Sequence, residues 1–535
     1  MGQPPPPVPQ WPQGQWQDPP QPPEHPHAQP QAAPQEHPHP PFPPPGQGVQ
    51  APGGGDGPRF FKGRTGIVVS AVTAALLLVG GGTWFALSGG DDGRKAGLAA
   101  SSGAPTADDA TTGSAGRSDG KDAAEDLNAQ RKPGEARVLF VTKNDADLPG
   151  DGAYAFGPWI VGDTVVKAMY REVAGYSVTD GTKKWSVKLD SEVCMAAPQH
   201  SPDGRIVVGV MDGYTEKSVC GDLQMIDARN GRAGWRKPVP EQSGPGGFSD
   251  FILALSGSTV TVSGFGASFG FDVADGKQLF GMPASGCTRF GFAGGSRLIA
   301  AAECIPEIHE VVRQEVQEVD PATGKARWAY RLESDWKVGK VFSVDPVVFF
   351  AHKEDMEGAV TDRTVLALTD DGKLRSRIPF GKDTFEPQCS STGSTEFLGD
   401  IQGWCAGAAA DSSTAYLATE GRTTSEVVTF DLDTGKATGR SSPGPERTML
   451  PLRAEDGTVV AHIGRSPYAG GAVSVITPAG GERKVLLKLP KTEAEGFDQA
   501  RAVYADGRLF LLAPLVNSLR DSVEHETNTM MAFGR

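Results

Sequence analysis

What the chain lacks narrows its function before any motif is considered. It has no basic stripe, and 51 Lys and Arg against 65 Asp and Glu give a formal net charge of −14. Nucleic acid is therefore not an expected partner. No Cys-x-x-Cys pair occurs, and the histidines beyond the N-terminal tail are scattered, so a zinc site is not expected either.

Aliphatic residues are almost missing from the first 58 residues, which hold about half of the chain's 43 prolines. Such a segment cannot bury enough apolar surface to offset its chain entropy, and it is predicted to be disordered. Its proline runs could dock in the aromatic groove of a cytoplasmic partner domain. A solvated spacer without a specific ligand is the simpler interpretation of residues 1–58.

Long hydrophobic runs are also scarce, with one exception between Gly66 and Leu87. This uncharged stretch is long enough to span a bilayer and predicts a single transmembrane signal-anchor helix at 65–88. Arg59, Lys62 and Arg64 precede it, so the N-terminus is predicted to be cytoplasmic and the rest extracytoplasmic at the cell membrane. Residues 89–135, rich in Gly, Ala, Ser and Asp, predict a flexible linker.

One short phrase occurs seven times between Gly181 and Gly480: an apolar run, a turn ending in glycine, then in the stronger copies an aromatic residue. The four strongest copies are Ser177–Trp185, Asp227–Trp235, Asp272–Phe280 and Asp320–Trp328. Weaker copies begin at Leu368, Asp431 and Thr477. A repeat of about 50 residues in a strand-rich setting predicts a closed array of small sheets.

The residues of the phrase explain its shape. In four copies (Asp227, Asp272, Asp320 and Asp431) an aspartate stands four residues before the glycine and is expected to accept hydrogen bonds from backbone N–H groups in an Asx turn. The aromatic residues Trp185, Trp235, Phe280 and Trp328 follow their glycines by four positions, and they are expected to wedge between neighbouring blades. A second hairpin upstream of each phrase makes a four-stranded blade.

The phrase resembles the repeat of the PQQ-like, or quinoprotein-type, β-propellers, whose motif is Ala-x-Asp-x-x-Thr-Gly-Lys-x-x-Trp. Val319–Trp328 is the nearest copy. The resemblance covers about 155–535 and implies an all-β propeller domain at 136–535. The Ala-, Gly- and Asp-rich composition is similar to that of membrane-anchored proteins of high-GC actinobacteria.

Hairpin counting predicts eight four-stranded blades, with seven as the alternative. The last blade, made of 502–515 and 529–535, lacks its outermost strand. We predict that Arg137–Thr142 supplies this strand and closes the ring, so that no blade edge is left open.

The six cysteines fall into three separated couples beyond the apolar run. Fifteen pairings are formally open, and the simplest is sequential: Cys194 with Cys220, Cys287 with Cys304, and Cys389 with Cys405. Disulfides fit an oxidising, extracytoplasmic compartment.

No catalytic, cofactor-binding or metal-ligating residue is predicted. Ser268 stands in a Gly-x-Ser-x-Gly pattern but precedes a predicted strand rather than a helix, and Asp431 fits a turn better than a calcium loop. Quinoprotein dehydrogenases hold their quinone over calcium and typically carry adjacent disulfide-bonded cysteines, which this chain lacks. The resemblance therefore implies the scaffold without its chemistry.

The least repeat-like segments, at 241–249, 303–318, 382–404 and 516–527, are the predicted binding loops. The second is acidic, with Glu303, Glu307, Glu310, Glu315 and Glu318, and is predicted as either a binding face or a solvated hairpin. The favoured function is a non-enzymatic binding, scaffold or sensor module for a protein, cell-wall or small-molecule ligand. The alternative is a quinone-dependent dehydrogenase at the outer face of the membrane.

Overall fold

The computed structural model describes residues 119–535 except 216–217, 241–250, 265–266, 284–285, 305–311, 356, 386–387, 391–398, 422, 482, 492–496, 498 and 518–524. For residues 119–122, 388–390 and 405 it describes the backbone alone. The described chain forms one short helix, α1 (Asp119–Ala129), and antiparallel sheets of four strands arranged as the eight blades of a propeller. The sequence prediction of an eight-bladed, all-β propeller is confirmed.

Blades 1 to 4 follow one another along the chain. Blade 1 contains β2 (Ala153–Val161), β3 (Thr164–Met169), β4 (Glu172–Ser177) and β5 (Lys183–Lys188). Blade 2 contains β6 (Val193–Ala196), β7 (Arg205–Met211), β8 (Cys220–Asp227) and β9 (Arg232–Pro238). Blade 3 contains β10 (Ile252–Ser256), β11 (Thr259–Gly264), β12 (Ala267–Asp272) and β13 (Gln278–Phe280). Blade 4 contains β14 (Thr288–Ala293), β15 (Ile299–Cys304), β16 (Arg313–Val319) and β17 (Ala326–Arg331).

Blades 5 to 7 repeat the pattern, with a small hairpin of β22 (Gln388–Ser390) and β23 (Trp404–Ala406) inserted before blade 6. Blade 5 contains β18 (Trp336–Val344), β19 (Val347–Glu354), β20 (Val360–Leu368) and β21 (Leu374–Pro379). Blade 6 contains β24 (Ala408–Ala410), β25 (Thr414–Ala418), β26 (Val427–Asp431) and β27 (Ala437–Ser441). Blade 7 contains β28 (Met449–Glu455), β29 (Thr458–Ile463), β30 (Ala472–Ile476) and β31 (Lys484–Lys488).

Blade 8 is built from both ends of the propeller domain. It contains β32 (Arg501–Ala505), β33 (Arg508–Leu512), β35 (Asn528–Gly534) and, as its outermost strand, β1 (Arg137–Lys143). Strand β1 pairs antiparallel with β35 from Arg137 opposite Gly534 to Lys143 opposite Asn528. The short β34 (Leu515–Val516) pairs with the start of β2. The predicted closure of the ring by the N-terminal strand is therefore confirmed.

Helix α1 protects the outer edge of the closing strand. The Asn128 side-chain amide donates to the carbonyl of Val138 at 2.8 Å and accepts from its N–H at 3.0 Å, as a neighbouring strand would do. Ala124 is buried in the same apolar cluster as Val138. The helix lies inside the range 89–135 that the sequence assigns to a flexible linker, so the folded unit begins before residue 136.

The repeated phrase forms the turn between the third and fourth strands of a blade. In the four copies that carry the aspartate, its Oδ1 accepts a hydrogen bond from the backbone N–H two residues later, at 2.6–3.2 Å. The glycines of all seven copies have a positive φ, between 67° and 77°. The Asx-turn prediction is confirmed.

The aromatic ring of one blade packs onto the turn glycine of the next blade. A Cβ added to Gly231 would lie 2.6 Å from the Trp185 ring, and one added to Gly324 would lie 2.4 Å from Phe280. Trp235 and Trp328 contact Gly276 and Gly372 in the same way. The predicted wedge is thus confirmed, and glycine is required partly because the ring occupies the position of a side chain.

In copies without the aromatic residue, backbone atoms of the preceding blade occupy the space beside the next turn glycine. Where Ser376 and Gly439 replace the ring, the next turn glycine instead meets main-chain atoms: a Cβ on Gly435 would lie 2.3 Å from the Arg377 carbonyl oxygen. The closing strand keeps a ring, because Phe140 of β1 packs against Gly181 of blade 1. The ring joint, where blade 8 meets blade 1, is therefore an aromatic wedge like the four that join blades 1 to 5 in succession.

None of the helices among the described residues is long and apolar enough to cross a membrane. The predicted transmembrane helix at 65–88, the tail at 1–58 and residues 89–118 of the predicted linker lie outside the described residues.

Replacing Phe140 with alanine is expected to weaken the closure of the ring. Phe140 is 1 % exposed, and removing a buried ring of this size costs about 3–5 kcal/mol. Urea unfolding of the purified protein should show this loss, whereas Arg137→Ala at the exposed end of the same strand should change the free energy of unfolding by about 0.5 kcal/mol or less. Equal stability of the two variants would contradict the wedge at the ring joint.

Candidate functional site

The two faces of the propeller differ in the length of their connections. Because strands alternate in direction, one face carries the links from second to third strands and from each blade to the next; we call it the loop face. The opposite turn face has short links, the longest being 197–204, whereas the loop face carries 239–251, 380–407, 489–500 and 513–527. The predicted binding segments 241–249, 382–404 and 516–527 belong to loop-face connections, whereas 303–318 begins at the loop face and runs through β16 towards the turn face. Residues 241–249 and parts of the others lie outside the described residues.

Disulfides brace the same face. Cys194 and Cys220 are bonded across β7 near the loop-face ends of β6 and β8, and Cys287 is bonded to Cys304 at the loop-face end of β15. These two pairings are as predicted. Cys389 and Cys405 stand directly opposite each other in the β22–β23 ladder, a register compatible with a disulfide, but their side chains lie outside the described residues and their pairing stays a prediction.

Large apolar side chains are exposed mainly at the loop face. Nine such side chains are exposed among the described residues, and only Leu374 and Val485 lie towards the turn face. The other seven stand on loop-face connections or at strand ends beside them: Tyr154, Tyr214, Met282, Val312, Val360, Tyr468 and Leu515. They come from seven connections around the ring, and Tyr154 stands opposite Leu515 in the β2–β34 ladder, so the loop face is the face that offers more exposed apolar side chains to a partner.

The acidic segment 303–318 does not form an acidic binding face as a whole. Glu315 and Glu318 are buried in β16; Arg331 lies 3.0 Å from Glu315, and Arg297 and Arg327 pair with Glu318. Burial alone would raise the pKa of Glu318, but hydrogen bonds from Arg297, Arg327 and Trp328 hold it below its usual value. Because Glu315 and Glu318 are buried and paired, the binding-face interpretation is wrong for these two residues. Glu307 and Glu310 lie outside the described residues.

The other sequence candidates have structural positions. Ser268 is fully buried within β12, which leads into β13 instead of a helix. Asp431 accepts from the N–H groups of Asp433 and Thr434 and from the Thr434 hydroxyl, so its oxygen atom is used by the turn. The close group of Cys287, Cys304 and Glu315 is not a thiolate metal site, because both sulfur atoms belong to the disulfide.

A piece of the chain itself crosses the central channel. Residues Gly399–Trp404, which we call the channel segment, belong to the connection 380–407 between blades 5 and 6. The Ile401 carbonyl accepts from the Val341 N–H of blade 5 at 2.6 Å, while the Trp404 ring lies edge-on at 5.7 Å from Trp159 of blade 1. Blades 1 and 5 stand on opposite sides of an eight-bladed ring, so a segment that touches both of their first strands lies across the channel.

Gln402 is the hydrogen-bonding centre of this segment. Its Oε1 accepts from the Gly294 N–H at 2.8 Å and from Gln199 Nε2 at 2.7 Å, and its Nε2 donates to the Gly294 carbonyl at 3.0 Å. Gln199 Oε1 in turn accepts from the Leu255 N–H at 3.1 Å. One glutamine from the link between blades 5 and 6 therefore joins blades 2, 3 and 4 around the channel.

Charged side chains complete the channel packing. The Arg501 guanidinium lies 4.8 Å from the Trp404 ring centroid and donates to the Ala155 carbonyl. Burial lowers the pKa of Arg501 to about 10, so it stays charged at neutral pH. On the other side Lys340 Nζ is 3.2 Å from Asp400 Oδ2. The sequence indicated 382–404 as an irregular segment, but nothing in the repeat pointed to Gln199, Gln402 or Arg501.

The described channel residues do not fit a quinone held over calcium. A flat cofactor in the channel would have to displace the channel segment, whose backbone packs against Gly291 so closely that a Cβ there would lie 2.3 Å from the Gly399 carbonyl oxygen. Calcium needs several oxygen ligands, and Asp400, the carboxylate that this segment brings, already pairs with Lys340.

The structure is a β-propeller with a filled channel, and its exposed large apolar side chains lie mainly on the disulfide-braced loop face. A family model described as "Outer membrane protein assembly factor BamB" matches residues 133–330 and 220–450. These matches span more than half of the chain, and the chain belongs to this family. No curated protein matches the sequence.

Solved structures similar to this chain are distant in sequence. BamB from Moraxella catarrhalis is 15% identical over 74% of this chain and 97% of its own, with a TM-score of 0.39. The computationally designed Ika8 protein is 13% identical over 74% of this chain and 100% of its own, with a TM-score of 0.41. Quinohemoprotein alcohol dehydrogenase from Comamonas testosteroni is 12% identical over 75% of this chain and 76% of its own, with a TM-score of 0.42.

Replacing Gly291 with alanine is expected to displace the channel segment while the ring stays folded. The new methyl group would collide with the Gly399 carbonyl, and no positive φ adds strain at this position. Limited proteolysis should then cleave the link between blades 5 and 6 faster, at least tenfold, than in the wild type. Gly381→Ala, in the same link with nothing within 4 Å of the added Cβ, is the matched control. Identical cleavage of the two variants would contradict the packing of the channel segment.

Proposed function

We propose that this chain is a membrane-anchored, extracytoplasmic module that binds a protein partner through the loop face and carries out no chemistry itself. The observation that carries the proposal is that, among the residues described, seven of the nine exposed large apolar side chains lie on that face. Two disulfides brace strand ends there, which keeps the surface preorganised and lowers the entropy lost on binding.

The family supports a protein partner. Its model is described as an assembly factor, which favours a protein as the partner. The channel, the usual concave site of a propeller, is packed by Gln402, Trp404 and Arg501 in this chain. Of the two remaining faces, the loop face carries more of the exposed apolar side chains among the described residues.

The placement outside the cell rests on two features of the sequence that are independent of each other. Basic residues at Arg59, Lys62 and Arg64 precede the apolar run, which favours a cytoplasmic N-terminus. Disulfides are typical of an oxidising compartment. The proline-rich tail would then be available to a cytoplasmic partner, and the propeller would sense or hold a partner on the other side.

Crosslinking on intact cells tests partner and placement together. A membrane-impermeant amine crosslinker should join the full-length protein to a partner. Substituting serine for Tyr154, Met282 and Tyr468 at the loop face should reduce the yield at least tenfold. Leu374→Ser with Val485→Ser, towards the turn face, is the control and should leave the yield unchanged.

Two outcomes of this experiment would overturn parts of the proposal. Equal yield from both sets of variants would exclude the loop face as the binding surface. A partner captured only by a membrane-permeant crosslinker would exclude the extracytoplasmic placement.

The competing function, a quinone-dependent dehydrogenase, predicts a different result. The full-length protein mixed with pyrroloquinoline quinone and calcium should show neither saturable quinone binding nor dye-linked oxidation of alcohols or sugars, because the channel segment occupies the channel. Saturable quinone binding together with substrate oxidation would replace the binding-module function with the enzymatic one.

A further inference from the structure

A cleft of about 250 Å³ opens at the loop face between blades 8 and 1. Its walls come from the link that follows β1 and from the β3–β4 and β5–β6 connections of blade 1. The residues that line it are Asp145, Ala146, Asp147, Lys167, Met169, Tyr170, Arg171, Glu172, Ala174, Lys188 and Leu189. It lies apart from the channel segment and on the face to which the proposed function assigns partner binding.

The cleft contains a lysine that is almost completely buried. Lys167 of β3 is 4 % exposed, and its Nζ donates a hydrogen bond to the Thr529 hydroxyl at 2.8 Å. Among the described residues, no carboxylate oxygen lies within ion-pair distance of this Nζ, although an ammonium has three N–H donors. Burying an ammonium without a close counter-ion is costly, so this arrangement favours an anion in the cleft.

The acidic side chains nearest to Lys167 already have partners. Lys183 Nζ lies 2.6 Å from Asp145 Oδ2 and 3.3 Å from Glu172 Oε1, and Lys188 Nζ lies 3.3 Å from the same Glu172 oxygen. Asp147 stands at the exposed rim. Lys167, Lys183 and Lys188 therefore share the two carboxylates of Asp145 and Glu172, so one positive charge of this group remains in excess.

An aromatic and cationic rim stands beside the buried lysine. The Arg171 guanidinium lies 4.7 Å from the Tyr214 ring centroid and 5.2 Å from the Tyr170 ring centroid. Tyr214 is 65 % exposed, the second most exposed of the large apolar side chains described. Tyrosine and arginine are the residue types that dominate binding energy at protein interfaces, and a stacked guanidinium is preorganised to pair with a carboxylate.

We propose that this cleft binds an acidic segment of the protein partner, with one Asp or Glu carboxylate paired to Lys167 and a second paired to Arg171. The inference deepens the proposed function by naming the chemistry that the loop face recognises. Charge complementarity carries it: the cleft has an unneutralised ammonium at its base and a guanidinium at its rim.

Fluorescence anisotropy with the full-length protein in detergent tests the site. The probe is a fluorescein-labelled peptide of alternating Glu and Tyr, compared with the same peptide in which Gln replaces every Glu. The Glu peptide should bind at least tenfold more tightly, and Lys167→Met should reduce that preference several-fold, leaving the part that Arg171 contributes. Lys184→Met, which removes a lysine paired with Asp163 near the turn face, is the control and should leave binding unchanged.

The pH dependence gives a second readout. Burial lowers the pKa of Lys167 to about 8, with Asp145 and Glu172 opposing and Lys183 adding to the shift; the Tyr176 ring and the Thr529 hydroxyl also face the group. The ammonium is present below that pH and lost above it. Affinity for the Glu peptide should fall several-fold between pH 7 and 9 in the wild type and stay flat in Lys167→Met.

The outcomes separate this inference from the proposed function. Equal binding of the Glu and Gln peptides, or full affinity in Lys167→Met at unchanged thermal stability, would overturn the cleft site. Binding of acetylglutamate as tightly as the peptide would also overturn it, in favour of a small-molecule site. If loop-face crosslinking still depended on Tyr154, Met282 and Tyr468, the loop face would stand as the binding surface without the cleft.

Discussion

The propeller depends on one contact, in which a flat side chain of one blade lies on the turn glycine of the next. Neighbouring sheets pack through shared apolar clusters, such as Leu223 of blade 2 with Leu253 of blade 3, and the wedge fixes how closely the next turn approaches. At Gly231 and Gly324 the neighbour is an aromatic ring, from Trp185 and Phe280. At Gly435 it is the Arg377 backbone, which lies as close to the glycine as the rings do. All seven copies share the glycine and the close approach to it, whereas the aromatic residue is absent from the weaker copies.

The wedge also explains why the fold was readable from the sequence. Aspartate, glycine and aromatic residue act within nine positions of one another, so their spacing alone predicts the turn and the joint between blades. The closing strand was equally accessible, because the last blade lacked a strand and Arg137–Thr142 was unassigned. Segment 303–318 shows the opposite case: its glutamates suggest a binding face or a solvated hairpin, whereas Glu315 pairs with Arg331 of β17 and Glu318 with Arg297 of the β14–β15 link.

The candidate site was accessible only in outline. Segments that depart from the repeat mark most of the long loop-face connections, because the repeated phrase itself forms the short turns of the opposite face. The residues that matter within it were not predictable, since Gln199 and Gln402 meet across 203 positions of sequence and Lys167 meets Thr529 across 362. No local pattern records such pairs. The one available signal was a lysine in the apolar strand Thr164–Met169, a position at which a charge is unexpected unless it has a partner.

The position of Lys167 joins recognition to the closure of the ring. Its ammonium bonds the Thr529 hydroxyl of β35, which in turn lies 2.9 Å from the Thr142 hydroxyl of β1, so the lysine reaches across the joint between the first and last blades. An anion that neutralises Lys167 in the complete cleft needs β1 in place, because the link that follows β1, with Asp145 and Asp147, forms one wall of the cleft. A ligand that binds only the closed ring stabilises that closed state. The cost of the buried charge at the joint is then offset by the partner, and partner binding and ring closure become linked equilibria.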